Sequence, residues 1–362
     1  MRFLSLPPLP GGSLFTCLSW GQACSYALVA ACCLLVRFPA YATTVLGPVL
    51  LVGLLGLGVA HGACDQLVWP VYRPVRGSRW VYQVRFGLGY LGLAGGVGLV
   101  WWQWPGVAAV FFFGLTAWHW GSADAPAYPQ RGIWLAHSLL RGVLLLALPA
   151  YFWPAETVGH VNGLLLLTGA PPAQLDSYAP GGLLGLVLAG HLGLWAYLGW
   201  QRLPGRWLRD VGEVCLLACL FSSWPPLLAL GVYFVFWHSL QHILRLAPLL
   251  GYAAGPSRLG ARGRRKLLFF ARRAWPMLAA SLVLLAGAHA LGGTWLPAQN
   301  AWLGLVVLAA SVVTVPHALL VTLVMDAPKW RARPYLAAGN PLVLPAGQPP
   351  ESGTALQAYG GR

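Results

Sequence analysis

Two histidines, His238 and His242, stand four residues apart in the phrase WHSLQH. On a helix that spacing stacks both imidazoles on one face, where they can bind a single metal ion. His61 and His119 open two phrases of similar build, HGACD and HWGSAD. In each, a glycine follows the histidine closely, which lets a neighbouring helix approach. An aspartate then follows at i+4 (Asp65) or i+5 (Asp124). Such a carboxylate can accept the second ring N–H of a metal-bound histidine and fix its tautomer, or it can cap a loop. An all-imidazole set suits Fe, Cu or Zn, whereas Mg, Ca and Mn prefer carboxylates, and the whole chain has only eight Asp and Glu. Zinc hydrolysis of the HExxH kind needs a glutamate base beside the ligands, and these phrases contain none.

The elements that must position these histidines lie in a membrane. Of the 362 residues, 58% are hydrophobic and 9% are charged, where a soluble domain carries roughly 25% charged residues. So few charges cannot coat a water-exposed surface of this size, and the bilayer must be the solvent for most of the chain. The 45 Gly, 29 Pro and 19 Trp fit that setting, since membrane helices tolerate Gly and Pro and Trp gathers at interfaces. The net charge of +15 does not mark a nucleic-acid partner. The arginines sit in short connectors between apolar runs, where orientation signals belong, and no soluble basic face is visible. The seven cysteines lie mostly in apolar segments without a CxxC pair and read as small buried hydrophobes. The start, MRFLSLPPLPGGS, lacks the basic-then-apolar build of a cleaved signal peptide. A redox-active iron acting with O2 on a lipid-soluble substrate is the chemistry that such a setting favours.

Charge-poor runs long enough to cross the bilayer fall near 13–36, 44–69, 86–103, 105–123, 131–153, 180–200, 210–224, 225–245, 269–291 and 299–324. The sequence thus predicts an all-α, polytopic integral membrane helical bundle of about ten transmembrane helices. A tail at 1–12 precedes the transmembrane catalytic domain, 13–325, and a Gly-, Pro- and Ala-rich cytoplasmic tail, 326–362, expected to be disordered, follows it. The run 155–170 is short, ends in Pro171-Pro172 and is read as interfacial or re-entrant. With that assignment the arginine-bearing loops 70–85, 201–209 and 246–273, and the tail with Lys329, Arg331 and Arg333, all fall on the cytoplasmic side. Both termini then face the cytoplasm, in a multi-pass protein of the inner (cytoplasmic) membrane. The same topology brings His61, His119, His238, His242 and His317, on four separate spans, to one depth. Ionisable groups at membrane depth are functional candidates by default. His160 and His289 fall on the opposite side and read as structural. His191 is mid-span and reads as packing or hydrogen-bonding, and His137 has the right depth but no motif. Aromatic residues around the histidines, including Trp118, Trp120, Phe234 and Trp237, face lipid, pack, or line an apolar substrate tunnel.

The phrases HGACD, WHWGSAD, WHSLQH and VPHALL, in this order and spacing, resemble the Brp/Blh family of microbial membrane proteins over about residues 50–325. The resemblance implies a beta-carotene 15,15'-dioxygenase: O2-dependent cleavage of beta-carotene at its central double bond into two molecules of all-trans-retinal, with a functional link to a rhodopsin. It places the Fe(2+) ligands, and so the catalytic site, on His61, His119, His238 and His242. Asp65, Asp124 and His317 are candidates for groups that hold those ligands from behind. The chain differs from the family pattern in having Trp118 and Trp120 around the second-motif histidine and Gln241 within WHSLQH, which bears on substrate fit. Two alternatives stand beside this reading: a carotenoid- or retinal-binding or transport protein without catalysis, and another His-ligated membrane oxygenase such as a carotenoid hydroxylase. An opsin is disfavoured, because Lys266 and Lys329 both fall in expected loops and a Schiff base needs a lysine inside a span.

Overall fold

The computed structural model describes residues 19–72, 74–75, 77–173, 179–252, 259–292, 301–327 and 329. The expected tail at 1–12 lies outside the described residues, as does the expected C-terminal tail 326–362 apart from 326, 327 and 329. What is described is helical throughout, without strands.

Chain entry into several helices is dictated by proline. α2 (Pro39–Gly53), α6 (Pro105–Asp124), α8 (Pro154–Leu167), α10 (Pro204–Ser223) and α11 (Pro226–Val232) each open on a proline in the first turn. There the missing N–H has no intrahelical partner to lose. α1 (Trp20–Leu35) instead starts on a capping box, in which Ser19 accepts from the Gln22 N–H and Gln22 returns a bond to the Ser19 N–H. The remaining α-helices are α3 (Val59–Gly62), α4 (Asp65–Tyr72), α5 (Arg79–Gln103), α7 (Arg131–Phe152), α9 (Ala179–Trp200), α12 (Leu240–Leu249), α13 (Leu259–Gly292) and α14 (Ala301–Leu320). Three π-helical segments interrupt this pattern: Leu54–Gly58 between α2 and α3, Tyr233–Ser239 between α11 and α12, and Val321–Met325 after α14.

Among the described residues, every expected span falls on helix. Among the described residues, seven helical stretches are long and apolar enough to cross a membrane: Thr44–Val71, Arg79–Gln103, Arg131–Phe152, Ala179–Trp200, Pro226–Leu249, Gly263–Leu284 and Val306–Met325. The other three expected spans fall on α1, of 16 residues, and on α6 and α10, of 20 residues each. α8, at 14 residues, is about 21 Å long, short of the ~30 Å hydrocarbon core. Two boundaries differ from expectation. α10 begins at Pro204 rather than 210, so Arg206 and Arg209 lie on its first turns and not in a loop. α13 begins at Leu259 rather than 269, so Lys266 lies on its first turns and not in a loop.

The tightest crossing is between α6 and α7. A Cβ placed on Gly121 would lie 1.9 Å from the Ser138 carbonyl oxygen, and one on Gly142 would lie 1.8 Å from that of Ala117. The two backbones touch, and only glycine permits it. The main core forms around Leu217, Leu220, Phe221, Tyr233 and Trp237, between α1, α7, α10 and the Tyr233–Ser239 segment. A second core, around Cys64, Ile243, Leu246 and Phe270, joins α12 and α13 to the start of α4.

Positive side chains gather at one end of the bundle. Lys329 donates to the Ser122 and Ala123 carbonyls at 2.7 and 3.2 Å, and Arg245 donates to Ala123 O at 3.0 Å. Both satisfy carbonyls left open at the C-terminus of α6 and suit its negative dipole end. Arg206 reaches Ala127 O at 3.3 Å and lies over the Tyr128 ring. The first turn of α10, the end of α12 and the residues after α14 therefore share one face.

Candidate metal centre

Five imidazoles converge within the bundle beside that face. His61 comes from α3, His119 from α6, His238 from the Tyr233–Ser239 segment, His242 from α12 and His317 from α14. The His61 ring centroid lies 4.8 Å from His317, 5.5 Å from His242 and 5.7 Å from His238. His119 lies 5.0 Å from both His238 and His317. His238 and His242 stack 6.0 Å apart at 20°, and His242 lies 5.5 Å from His317. All five are buried.

Local backbone irregularity positions three of them. His61 stands one turn after the first π-helical segment, His238 lies inside the second, and His317 directly precedes the third by one turn. A π-turn inserts a residue and re-aims the side chains around it, which is why such turns collect at functional sites. Pro316 adds to this on α14, since it has no N–H to return to the preceding turn.

Hydrogen bonding sets two tautomers. His61 Nδ1 donates to the Gly58 carbonyl, which can only accept. His317 Nδ1 donates to the Asp65 carboxylate, at 3.1 Å to Oδ1 and 2.9 Å to Oδ2. In both rings the proton is therefore on Nδ1 and the lone pair on Nε2. Elsewhere in the cluster ring nitrogens go without partners: both nitrogens of His119 and of His238, and Nε2 of His242 and His317. The remaining His242 nitrogen, Nδ1, has only Arg245 Nη2 at 3.5 Å. A buried polar atom without a partner costs about 1–3 kcal/mol, and native interiors rarely leave several together. Neutral imidazoles with inward, unpartnered nitrogens are what a late first-row transition metal takes as ligands. The donor set fits such an ion.

Aromatic rings wall the cluster. Phe234 stacks on His238 at 5.9 Å and meets His61 edge-on at 5.4 Å, and Trp120 lies 6.0 Å from His238. Trp118 turns elsewhere and donates to Thr322 Oγ1 at 3.1 Å. Trp237 is in the core against Tyr26.

The structure sorts the residues expected behind the ligands. Asp65 reaches across the bundle to His317 and not to His61 on its own segment. Among the described residues Asp124 contacts no imidazole; it accepts from Tyr233 Oη at 2.9 Å. His317 is not behind the cluster but within it. His137 belongs to a separate buried network on α7, α9 and α10. Its Nε2 bonds Asp210 at 2.8 Å and its Nδ1 bonds Tyr128 Oη at 2.9 Å. In that network Arg141 pairs with Asp210 at 2.8 Å and with Glu213, Trp195 donates to Asp210 at 2.6 Å, and Tyr26 donates to Glu213. Arg141 lies within the expected span 131–153. The missed signal was Asp210 and Glu213 on one face of an otherwise apolar run. His191 bonds the Val187 carbonyl at 3.0 Å, and His160 is exposed. The His289 side chain lies outside the described residues.

Among known proteins, the profile of the beta-carotene 15,15'-dioxygenase family matches residues 52–325, a range that contains all five histidines. The probable beta-carotene 15,15'-dioxygenase Blh of Halobacterium salinarum is 33% identical over 293 residues, 73% of this chain and 80% of that protein. The probable beta-carotene 15,15'-dioxygenase Brp of the same organism is 29% identical over 128 residues, 32% of this chain and 33% of that one. No solved structure matches.

Proposed function

The chain belongs to the beta-carotene 15,15'-dioxygenase family, and on that footing we propose that it cleaves beta-carotene with O2 at the central double bond, giving two molecules of all-trans-retinal. The observation that carries the reading is the buried cluster of imidazoles with unpartnered nitrogens, walled by aromatic rings inside a membrane bundle.

His61, His119, His238 and His242 would hold ferrous iron, which when bound supplies the redox chemistry with O2. The Gly58 carbonyl keeps the His61 proton on Nδ1, so Nε2 stays available as a donor without any proton release. The Tyr233–Ser239 turn holds the stacked His238 and His242 rings in one register. The surrounding helices exclude water, which protects a reactive oxidation from side reactions. A hydrocarbon polyene offers almost no polar handle, so selection rests on the shape of an apolar channel and regiochemistry on position. Phe234 and Trp120 provide flat apolar surface beside His238 for that purpose. The basic face of the bundle is assigned to the cytoplasm by the positive-inside rule, in the inner membrane with both termini inside. Retinal released there would supply a rhodopsin.

Expression of the chain in cells that make beta-carotene tests this directly. Retinal should accumulate in an O2-dependent way, while His61→Ala, His119→Ala, His238→Ala and His242→Ala each abolish it and lower bound iron. His160→Ala should leave both unchanged. Carotenoid that co-purifies with the chain without any retinal would instead identify a binding or transport protein, and a hydroxylated carotenoid would identify a hydroxylase.

A further inference from the structure

We propose that His317 is itself a metal ligand, a fifth imidazole of the centre, and that Asp65 is the residue that orients it. This inference rests on the iron reading above.

Three observations carry it. First, His317 shares a possible three-ligand grouping with two of the expected ligands. One ring nitrogen from each of His61, His119 and His317 lies within 4.8 Å of the others. Second, His317 has the hydrogen-bonding pattern of a ligand: Nδ1 is tied to a carboxylate and Nε2 is buried without a partner. Metal-bound histidines almost always hand their second N–H to a carboxylate, carbonyl or water in this way. Third, the support is itself supported. Asp65 is 3% exposed, begins α4 where the helix dipole favours a negative charge, and accepts from Tyr90 Oη at 3.2 Å. Tyr90 also lies 3.3 Å from the Val313 carbonyl on α14. α4, α5 and α14 are thereby joined through one carboxylate behind one imidazole. A histidine that merely packed would not need so built a backing. A histidine placed only to hydrogen-bond another ligand would show a ring-to-ring hydrogen bond, and its Nε2 makes none.

The test is metal binding by the full chain in detergent, read independently of carotenoid cleavage. Ferrous iron affinity is measured by competition with a chromogenic chelator, and ligand change by the visible absorption of the cobalt(II)-loaded protein. His317→Ala should weaken iron by about tenfold or more and alter the cobalt spectrum, and imidazole added to His317→Gly should restore that spectrum. Asp65→Asn, which keeps the shape but removes the charge, should weaken iron by about 10–100-fold and shift the spectrum less. Helical circular dichroism of each variant establishes folding; if His317→Ala does not fold, Asp65→Asn and the imidazole-supplemented His317→Gly decide. Wild-type affinity and spectrum in His317→Ala, with loss of metal in His238→Ala, would overturn this inference and leave the iron reading standing. Failure of the wild-type chain to bind either metal would overturn both.

Discussion

The contact between α6 and α7 makes the centre sensitive to a single methyl group placed away from it. Gly121 is two residues beyond His119 on α6, and a Cβ there would sit 1.9 Å from the Ser138 carbonyl oxygen. A carbon and a carbonyl oxygen come no closer than about 3.3 Å without strain. Gly121→Ala therefore asks α6 to retreat from α7 by about 1.4 Å. Neither neighbour can yield by rotating a side chain, because the obstacle is backbone on both sides: Ser138 O and Gly142 N. The retreat carries His119, whose ring lies 5.0 Å from both His238 and His317. A misplacement of about 1 Å near reacting groups can lower a rate about 100-fold. Retinal formed per unit of folded chain in beta-carotene-producing cells should fall by about that factor, and iron affinity with it. Gly114→Ala is the matched control, since it lies on the same helix, two turns earlier, with no atom within 4 Å of its Cβ position. If Gly121→Ala kept more than about half of wild-type output, or Gly114→Ala lost as much, the α6–α7 crossing would not be what aims His119.

Three further outcomes are expected. Arg141→Leu leaves Asp210 and Glu213 buried without their cation; breaking such a pair costs about 3–5 kcal/mol, so the unfolding midpoint in detergent should fall sharply, while iron bound per surviving folded molecule should not change. Asp124→Asn keeps an acceptor for Tyr233 Oη, so iron affinity and retinal formation should stay within about 2-fold of wild type; a loss as large as that of Asp65→Asn would place Asp124 in the centre after all. A cysteine introduced at Ser78, with the native cysteines replaced, should resist membrane-impermeant labelling in intact cells, and labelling from outside would reverse the assigned orientation.

The helices and the meeting of the histidines were legible in the sequence for the same reason: the bilayer forces the polar minority to explain itself. Within the described residues each apolar run is helix, and the arginine pattern alone placed His61, His119, His238, His242 and His317 at one depth, where five rings stand 4.8–6.0 Å from their neighbours. The π-helical segments were not legible. Nothing in LLGLG, YFVFWHS or VTLVM distinguishes an extra residue per turn from an ordinary apolar helix, because the choice is made by packing across helices. Partner choice failed for a related reason. Asp65 and Asp124 stand at nearly the same spacing from a histidine, yet one reaches His317, 252 residues away, and the other Tyr233, 109 residues away. Spacing along a chain says which face a carboxylate shares, and only the bundle says which helix stands opposite.

On the iron reading, electrostatics would give Asp65 a role that Asp326, the carboxylate held at the end of α6, does not share. Uncharged imidazoles would leave the full charge of a divalent ion inside a low-dielectric bundle, where uncompensated charge is expensive. The ion's own charge would then dominate the local field, and a carboxylate close behind a ligand would be worth more than one at the boundary. Among the described residues Asp65 is the carboxylate that touches an imidazole of the cluster. Asp326 lies near the cluster but is engaged by Lys329 at 3.1 Å and by the Ser122 hydroxyl at 3.3 Å, with Arg245 at 3.9 Å. The cations at that end neutralise the boundary carboxylate and hold the end of α6, while Asp65, whose hydrogen bonds come from His317 and the uncharged Tyr90, keeps its charge for the centre. Removing charge from Asp65 should therefore weaken metal binding, and removing it from Asp326 should loosen the packing of α6 against the residues after α14 with less effect on the metal. Equal losses of iron affinity in Asp65→Asn and Asp326→Asn would show that the two carboxylates act as one diffuse negative field, and the division of labour drawn from their contacts would fail.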